Sequence, residues 1–145
     1  MSEKKTPNKS VVIGTIGSDC HTIGAWVLSE SFKQAGYKVS FLGAVVPQEE
    51  FINAAIESDA DAILCSSMYG MGAIDCEGMR EKCIEAGIGD IILYVGGMPV
   101  ADVDLAKDWT RVEKIFHDMG FNRCLPNTTT GQETVALLNK DLGLE

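Results

Sequence analysis

The sequence predicts an α/β protein built on a doubly wound, parallel five-stranded sheet. Three observations lead to this prediction. Short apolar, β-branched runs alternate with helical patterns, an Ala-Gly or Met-Gly pair ends three of those patterns, and 145 residues suit one domain. Alternating strands and helices form parallel sheets, because each helix carries the chain back to the end of the sheet at which the previous strand began. The connections of such units are right-handed. The expected architecture is therefore flavodoxin-like, with helices on both faces of the sheet.

Five runs along the chain have the composition of buried strands. In order, they are Val11–Ile16, Lys38–Gly43, Asp61–Ser66, Asp90–Val95 and Asn122–Pro126. Each is rich in apolar residues, is short for a helix, and is bounded by glycine, proline or polar residues. Buried parallel strands have this pattern, because both of their faces are covered by helices.

Five further segments place apolar residues three and four positions apart, as amphipathic helices do. They are Ile23–Ala35, Gln48–Ser58, Asp75–Ala86, Asp108–Met119 and Thr130–Leu142. Gly36, Gly87 and Gly120 stand at the ends of three of them. Glycine is the residue that a left-handed C-terminal cap prefers, so these positions are expected to end the helices.

The composition describes an acidic chain. Twenty-one acidic and twelve basic side chains give a formal charge of −9, so neither nucleic acid nor a membrane surface is an expected partner. Residues 1–9 are polar and are expected to form a flexible lead-in to a single domain spanning residues 10–145. Five cysteines without a CxxC pair, and the lack of an apolar signal segment, predict a reduced, cytoplasmic protein. Charges or glycines interrupt every apolar run, so no membrane span is predicted.

Glycine-containing loops follow the first, third and fourth predicted strands, where this architecture binds ligands. The first loop contains Asp19 and His21. An imidazole is a good transition-metal ligand when its second nitrogen donates to a carboxylate. Residues i and i+2 can face each other in a loop, whereas on a helix they point apart. Gly24 then allows close approach of a bulky group where the first helix begins.

Other kinds of site have less support. The consecutive Asp-Cys-His residues of the first loop cannot all converge on one zinc ion, and no second cluster completes the ligand set. The chain contains neither GxGxxG nor GxxxxGK[ST]. Cys76 and Cys83 are expected to be core thiols, and His117 a surface residue near a helix end. A flavin site at the same strand ends stays open, although it leaves Asp19 and His21 unexplained.

Three parts of the sequence resemble the DxHxxG…SxL…GG signature of cobalamin-binding domains. In order, they are Asp19-x-His21-x-x-Gly24, Ser66-x-Met68 and Gly96-Gly97. The spacing between the parts is also similar, and the likeness runs from about residue 11 to the C-terminus. Met68 replaces the leucine of SxL, which conserves side-chain volume. Within this family, the chain is similar to the small, cobalamin-binding subunits of glutamate mutase.

The resemblance implies a role for each part of the signature. His21 would be the lower axial ligand of the cobalt, in place of the cofactor's own dimethylbenzimidazole, and Asp19 would be its hydrogen-bond partner. The displaced nucleotide tail would enter a pocket beside the sheet, near Ser66, with Gly96 and Gly97 leaving room for it. The cofactor-binding residues are then expected to be Ser18, Asp19, Cys20, His21, Thr22, Gly24, Ser66, Ser67, Met68, Gly96, Gly97, Met98, Pro99, Val100, Ala101 and Asp102.

The resemblance also implies an activity. Glutamate mutases interconvert L-glutamate and threo-3-methyl-L-aspartate by a radical rearrangement that begins at the cobalt–carbon bond of adenosylcobalamin. The loops of this chain offer no arginine for substrate carboxylates, so substrate recognition is expected in a larger, barrel-type catalytic (epsilon) subunit. The implied assembly has two small and two large subunits, and this chain alone should be inactive.

An apolar upper face is expected to meet the larger subunit. Its residues would be Cys20, Thr22, Met68, Tyr69 and Met71. The alternative function is that of a corrinoid methyl carrier in a methyltransferase system, which shares the signature. Such carriers usually have a helical bundle before the cobalamin-binding domain, and only nine polar residues precede the first predicted strand.

Overall fold

The computed structural model describes residues 9–17, 23–67, 72–97, 105–126 and 128–144. At its centre is a sheet of five parallel strands, which confirms the predicted fold class. The strands are β1 (Ser10–Thr15), β2 (Lys38–Phe41), β3 (Ala62–Ser67), β4 (Ile92–Gly97) and β5 (Arg123–Pro126). Their order across the sheet is β2-β1-β3-β4-β5, a doubly wound arrangement.

Each strand is followed along the chain by one helix, except β3, which is followed by two. The helices are α1 (Ile23–Gln34), α2 (Gln48–Ser58), α3 (Gly72–Asp75), α4 (Met79–Glu85), α5 (Leu105–Asp118) and α6 (Gly131–Asp141). The prediction of one continuous helix over Asp75–Ala86 is wrong. Gly78 has a φ of 81°, a left-handed conformation that a continuing α-helix cannot include, so the segment divides into α3 and α4. No helix in the described part of the chain is long and apolar enough to cross a membrane.

Three helices end at the glycines that the sequence indicated. Gly36, Gly87 and Gly120 have φ values of 96°, 85° and 98°. In each case the next amide donates to a carbonyl of the last helical turn, which is the bond of a Schellman cap. These bonds run from Tyr37 to Phe32, from Ile88 to Cys83 and from Phe121 to Phe116, with N···O distances of 3.0, 2.9 and 3.0 Å.

Different helices cover the two faces of the sheet. On one face, Leu93 of β4 belongs to a core that includes Phe51 of α2 and Phe116 of α5. On the other face, Tyr94 belongs to a core that includes Phe32 of α1 and residues of α6. Neighbouring residues of a strand point to opposite faces, so the odd- and even-numbered positions of β4 face different helices.

Four cysteines lie in the core on the α2 and α5 side. Cys65, Cys76, Cys83 and Cys124 are all buried free thiols, which confirms the expectation for Cys76 and Cys83. Burial raises the pKa of each thiol, and that of Cys124 to about 12. These side chains therefore remain neutral and pack as small apolar groups at neutral pH.

Candidate functional site

An open cavity of about 530 Å³ lies between the sheet and helices α1 and α6. It is formed at the carboxyl ends of β3, β4 and β5 and at the N-terminal ends of the two helices. Doubly wound folds bind ligands at this edge of the sheet. The volume falls within the range of about 300–1,000 Å³ that is typical of small-molecule sites.

Ser66 and Gly96 form part of the cavity floor. Leu64 and Tyr94 pack in the core beside α1 and α6, and residues two apart on a strand share a face. Ser66 and Gly96 therefore face the same two helices, and they are partners in the register of β3 with β4. One has a small hydroxyl side chain and the other has none, so the space beneath the helices stays unfilled.

The two adjacent glycines of β4 have different structural roles. A Cβ atom built at Gly96 would have the Leu125 carbonyl oxygen as its nearest neighbour, at 3.4 Å, which is an ordinary contact. Glycine at position 96 therefore supplies room. Gly97 has a φ of 101°, which other residues rarely adopt, so the backbone itself requires glycine there.

The two strands that supply the cavity floor, β3 and β4, end later than predicted. β4 continues through Gly96 and Gly97 instead of ending at Val95, and β3 includes Ser67. Glycine has low strand propensity, but pairing with β3 on one side and β5 on the other holds both glycines in the sheet. Ser67 lies on the opposite face from Ser66 and outside the cavity lining; its hydroxyl is buried without a hydrogen-bond partner among the described residues.

Helix α1 forms one wall of the cavity. Gly24 lies in its first turn, and a Cβ atom built there would have no atom within 4 Å. Ala25, Val27 and Leu28 also line this wall. The wall is thus largely apolar, with an open space beside Gly24.

Helix α6 forms the facing wall, and its contribution was missed in the sequence. Thr129, Gln132 and Thr134 line the cavity together with the first residues of the helix. The Thr130 hydroxyl accepts from the Glu133 amide, and the Glu133 carboxylate accepts from the Thr130 amide, both within 3.0 Å. This capping box has the sequence form Thr-x-x-Glu, which locates the helix start but not the cavity.

Helices α1 and α6 touch at the outer rim of the cavity. A Cβ atom at Gly131 would overlap the Ser31 side chain. Only a residue without a side chain lets the two helices approach this closely. The contact of Gly131 with Ser31 therefore joins the two walls of the cavity.

The far end of α6 is fixed by a cluster of polar side chains. Arg123 binds the Asp141 carboxylate through two nitrogens, at 2.7 and 2.9 Å, and the hydroxyl of Tyr94 donates to the same carboxylate. The Arg123 guanidinium lowers the pKa of Asp141, and burial followed by the Asp141 hydrogen bond raises the pKa of Tyr94. The cluster holds α6 over β4 and β5, and so maintains the cavity wall.

Asp141→Asn is expected to lower the free energy of unfolding by about 1–2 kcal/mol at pH 7, because it breaks a two-point charged hydrogen bond. The pKa of Asp141 is lower in the folded than in the unfolded protein. Its stabilising effect is therefore complete above the unfolded value of about 4 and is lost as the pH falls through the folded value. Urea unfolding of both proteins between pH 7 and pH 3 should show curves that converge at low pH.

Asp118→Asn is the matched control for this substitution. Asp118 pairs with Lys114 at 3.0 Å, but both side chains are more than 60% exposed. Exposed pairs contribute little, so the control should change the unfolding free energy by less than about 0.5 kcal/mol. An equal effect of both substitutions at every pH would contradict the role given to the cluster.

A second cavity, of about 420 Å³, lies between α5 and β5. Its charged residues include Lys114 and Arg123, which already pair with Asp118 and Asp141. His117 is exposed in the last turn of α5, as expected. The described ranges hold no group of three or more histidine, cysteine, aspartate or glutamate residues that could bind a metal ion.

Several predicted site residues lie outside the described residues. Of the expected cofactor-binding set, Gly24, Ser66, Gly96 and Gly97 line the cavity. Those outside the described residues are Ser18, Asp19, Cys20, His21, Thr22, Met68, Met98, Pro99, Val100, Ala101 and Asp102, as well as Tyr69 and Met71 of the expected apolar face.

The sequence matches a known family model and known proteins along most of its length. The family model described as B12 binding domain matches residues 9–120. The glutamate mutase sigma subunit of Clostridium tetani (strain Massachusetts / E88) is 50% identical over 137 residues, which cover 94% of this chain and 98% of that protein.

Solved structures with the same fold are more distant in sequence. A novel cobalamin-binding protein from Desulfitobacterium hafniense DCB-2 superposes with a TM-score of 0.72 at 18% identity, over 92% of this chain and 59% of the other. The monomethylamine corrinoid protein of Methanosarcina barkeri gives a TM-score of 0.67 at 18% identity, over 90% of this chain and 57% of the other. This chain thus spans less than two thirds of either solved chain, and the likeness concerns the fold.

Proposed function

This chain belongs to the B12-binding domain family and, within it, to the glutamate mutase sigma subunits, and from that membership we propose that it is the cobalamin-carrying subunit of a glutamate mutase. The observation that carries the proposal is the cavity floored by Ser66 and Gly96. It lies at the ligand-binding edge of the sheet, and it is lined at the positions that match the second and third parts of the signature.

The cavity fits the nucleotide tail of cobalamin. Its lining is mostly apolar, as an aromatic base requires, and it contains a few hydroxyl groups at defined places. Ser66 supplies a hydroxyl that can bond a ring nitrogen, and Thr129 and Thr134 supply others along the α6 wall. The base would lie over Gly96, where no side chain intervenes.

His21 is proposed as the axial ligand of the cobalt, with Asp19 as its hydrogen-bond partner. The support comes from the signature and from the residues on either side of the loop. Gly17 donates to the Val46 carbonyl oxygen at 2.9 Å beyond the end of β1, and α1 begins at Ile23 beside the cavity. Both flanks therefore lie at the edge of the sheet where the tail would enter.

The proposed reaction is the interconversion of L-glutamate and threo-3-methyl-L-aspartate. Bound adenosylcobalamin would supply the radical chemistry through its cobalt–carbon bond. This chain would hold the cofactor by the cobalt ligand and the tail pocket, and would present its upper side to a partner. The partner is proposed to be a larger, barrel-type subunit that binds the substrate, in an assembly of two small and two large subunits.

An apolar rim supports the proposed contact with a larger subunit. Ile23, Val45 and Ile74 are 80%, 55% and 63% exposed, and each follows the carboxyl end of a different strand. Val45 also has a φ of 58°, which is rare for a β-branched residue. All three side chains thus follow strands at the edge of the sheet where this fold binds ligands, and exposed apolar residues at such an edge favour an interaction surface.

Ile74→Glu is expected to weaken binding of the larger subunit by roughly 10- to 100-fold, because it places a charge in an apolar contact. Ile84→Glu is the matched control: Ile84 is 59% exposed but lies near the end of α4, toward the opposite edge of the sheet. The affinity of each variant is measured by titrating it with the larger subunit and recording the rate of turnover at each concentration. Equal affinities for both variants would place the contact elsewhere.

Reconstitution tests the proposed function directly. The chain, adenosylcobalamin and the large subunit of a glutamate mutase should together convert L-glutamate to methylaspartate. Omission of any one of these three components should abolish the activity. Methyl transfer from methylcobalamin without mutase activity would instead support the corrinoid methyl carrier. Binding of flavin, with no binding of cobalamin, would overturn both functions.

A further inference from the structure

Thr15 carries a buried hydroxyl that has no hydrogen-bond partner among the described residues. The residue is the last of β1, and its exposed fraction is 0%. Valine has nearly the same shape as threonine, so packing alone does not require a hydroxyl at this position. Because a buried hydroxyl without a partner lowers stability, its presence calls for an explanation.

The Thr15 side chain lies beside that of Ser66. The two residues are partners in the register of β1 with β3, and the Ile16 amide donates to the Ser66 carbonyl oxygen at 3.0 Å. Thr15 faces helices α1 and α6, as Ser66 does, because Val11 and Ile13 of the same strand pack in the core on that side. Neighbouring parallel strands are about 4.8 Å apart, so rotation about χ1 can bring the two hydroxyl oxygens within hydrogen-bond distance.

The two hydroxyl residues differ in their access to the cavity. Ser66 is partly exposed and lines the cavity floor, whereas Thr15 is fully buried and lies outside the lining. A ligand in the cavity can therefore contact Ser66 directly and can interact with Thr15 only through Ser66. A hydroxyl that donates to a ligand still has lone pairs that accept from other donors, and a hydrogen bond that it accepts strengthens the one that it donates.

We infer that Thr15 is a positioning residue for Ser66 when the cofactor is bound. The Thr15 hydroxyl donates to the Ser66 hydroxyl oxygen, and so directs the Ser66 proton at a ring nitrogen of the base. The inference rests on the proposed function, in which Ser66 bonds the base of the nucleotide tail. It adds a residue outside the DxHxxG…SxL…GG signature, and it gives the buried hydroxyl a partner in the bound state.

The test compares Thr15→Val with wild type in the full chain, by isothermal titration with cobalamin and by thermal melting without it. Valine removes the hydroxyl and keeps the shape of the side chain. We expect about three- to tenfold weaker cobalamin binding, which is the effect of one neutral hydrogen bond. The melting temperature of the cofactor-free chain should be equal or higher, because a buried hydroxyl without a partner is removed. Thr15→Ser keeps the hydroxyl and should retain the wild-type affinity.

Ser67→Ala is the matched control. The Ser67 hydroxyl is also buried without a partner among the described residues. However, its side chain faces away from the cavity, and its register partner is Gly97, which has no side chain. Removal of this hydroxyl should therefore leave the cobalamin affinity unchanged.

A double-mutant cycle with Ser66→Ala separates the inference from the proposed function. Thr15→Val should have no further effect on affinity once the Ser66 hydroxyl is gone, because Thr15 acts through it. Wild-type affinity in Thr15→Val, or additive losses in the double variant, would overturn the inference and leave the proposed function standing, provided that Ser66→Ala alone weakens binding. Wild-type affinity in a folded Ser66→Ala protein would overturn both the inference and the tail contact proposed for Ser66. Absence of cobalamin binding to the wild-type chain would overturn the proposed function itself.

Discussion

His21→Gly is expected to lower turnover of the assembled enzyme by more than roughly 100-fold and to abolish histidine coordination of the cobalt. The substitution removes the proposed cobalt ligand itself, whereas loss of a hydrogen-bond partner of a metal-bound histidine already costs about 10–100-fold. The measurement is the electron paramagnetic resonance spectrum of bound cob(II)alamin in protein with ¹⁵N-labelled histidine. A histidine ligand changes the nitrogen triplet to a doublet, and the glycine variant should lose the doublet.

His117→Ala is the matched control, because the chain contains only two histidines. His117 is exposed at the end of α5, so its removal should leave the doublet intact. Free imidazole should restore part of the activity of His21→Gly by entering the gap left by the side chain. Asp19→Asn should give an intermediate loss of about 10–100-fold. A triplet that persists in labelled wild-type protein would mean that the cofactor keeps its own base.

Gly96→Leu is expected to weaken cobalamin binding by roughly 100-fold or more while the cofactor-free protein stays folded. The leucine side chain would project from the cavity floor into the space proposed for the tail, and overpacked sites are costly. The backbone at Gly96 accepts a Cβ atom with an ordinary contact to Leu125, and strands favour other residues over glycine. Isothermal titration with cobalamin and thermal melting without it measure the two effects separately.

Gly96→Ala is the graded control for this prediction. One methyl group occupies much less of the cavity, so its effect on affinity should lie between wild type and leucine. The melting temperature of both cofactor-free variants should equal or exceed that of wild type. Unchanged cobalamin affinity in a folded Gly96→Leu protein would show that the tail lies elsewhere.

The sheet could be predicted from the sequence because its three central strands, β1, β3 and β4, are largely buried. Val11–Ile16 and Asp61–Ser66 are nearly continuous apolar runs, and glycines at positions 36, 87 and 120 mark where helices end. Both signals are local, since composition and caps depend on a few neighbouring residues. The position of Ser66 and Gly96 at one edge then follows from the parallel topology.

Other features depend on contacts between distant residues. The continuation of β4 through Gly97 is decided by pairing with β3 and β5, which no local propensity shows. The break at Gly78 has a local cause, but an isolated glycine inside a helical pattern does not by itself indicate a left-handed conformation. The role of α6 as a wall of the cavity depends on its packing on α1, which joins residues about a hundred positions apart, at Ser31 and Gly131.

The contact of α6 with α1 has a consequence for the order of events during protein synthesis. Gly131 rests on Ser31, and the Tyr37 hydroxyl donates to the Asn139 side chain, 102 residues later in the chain. Helix α1 is synthesised before α6, so the wall that they form together closes only after α6 has been made. The pocket proposed for the nucleotide tail is therefore incomplete until α6 has been synthesised and has packed on α1.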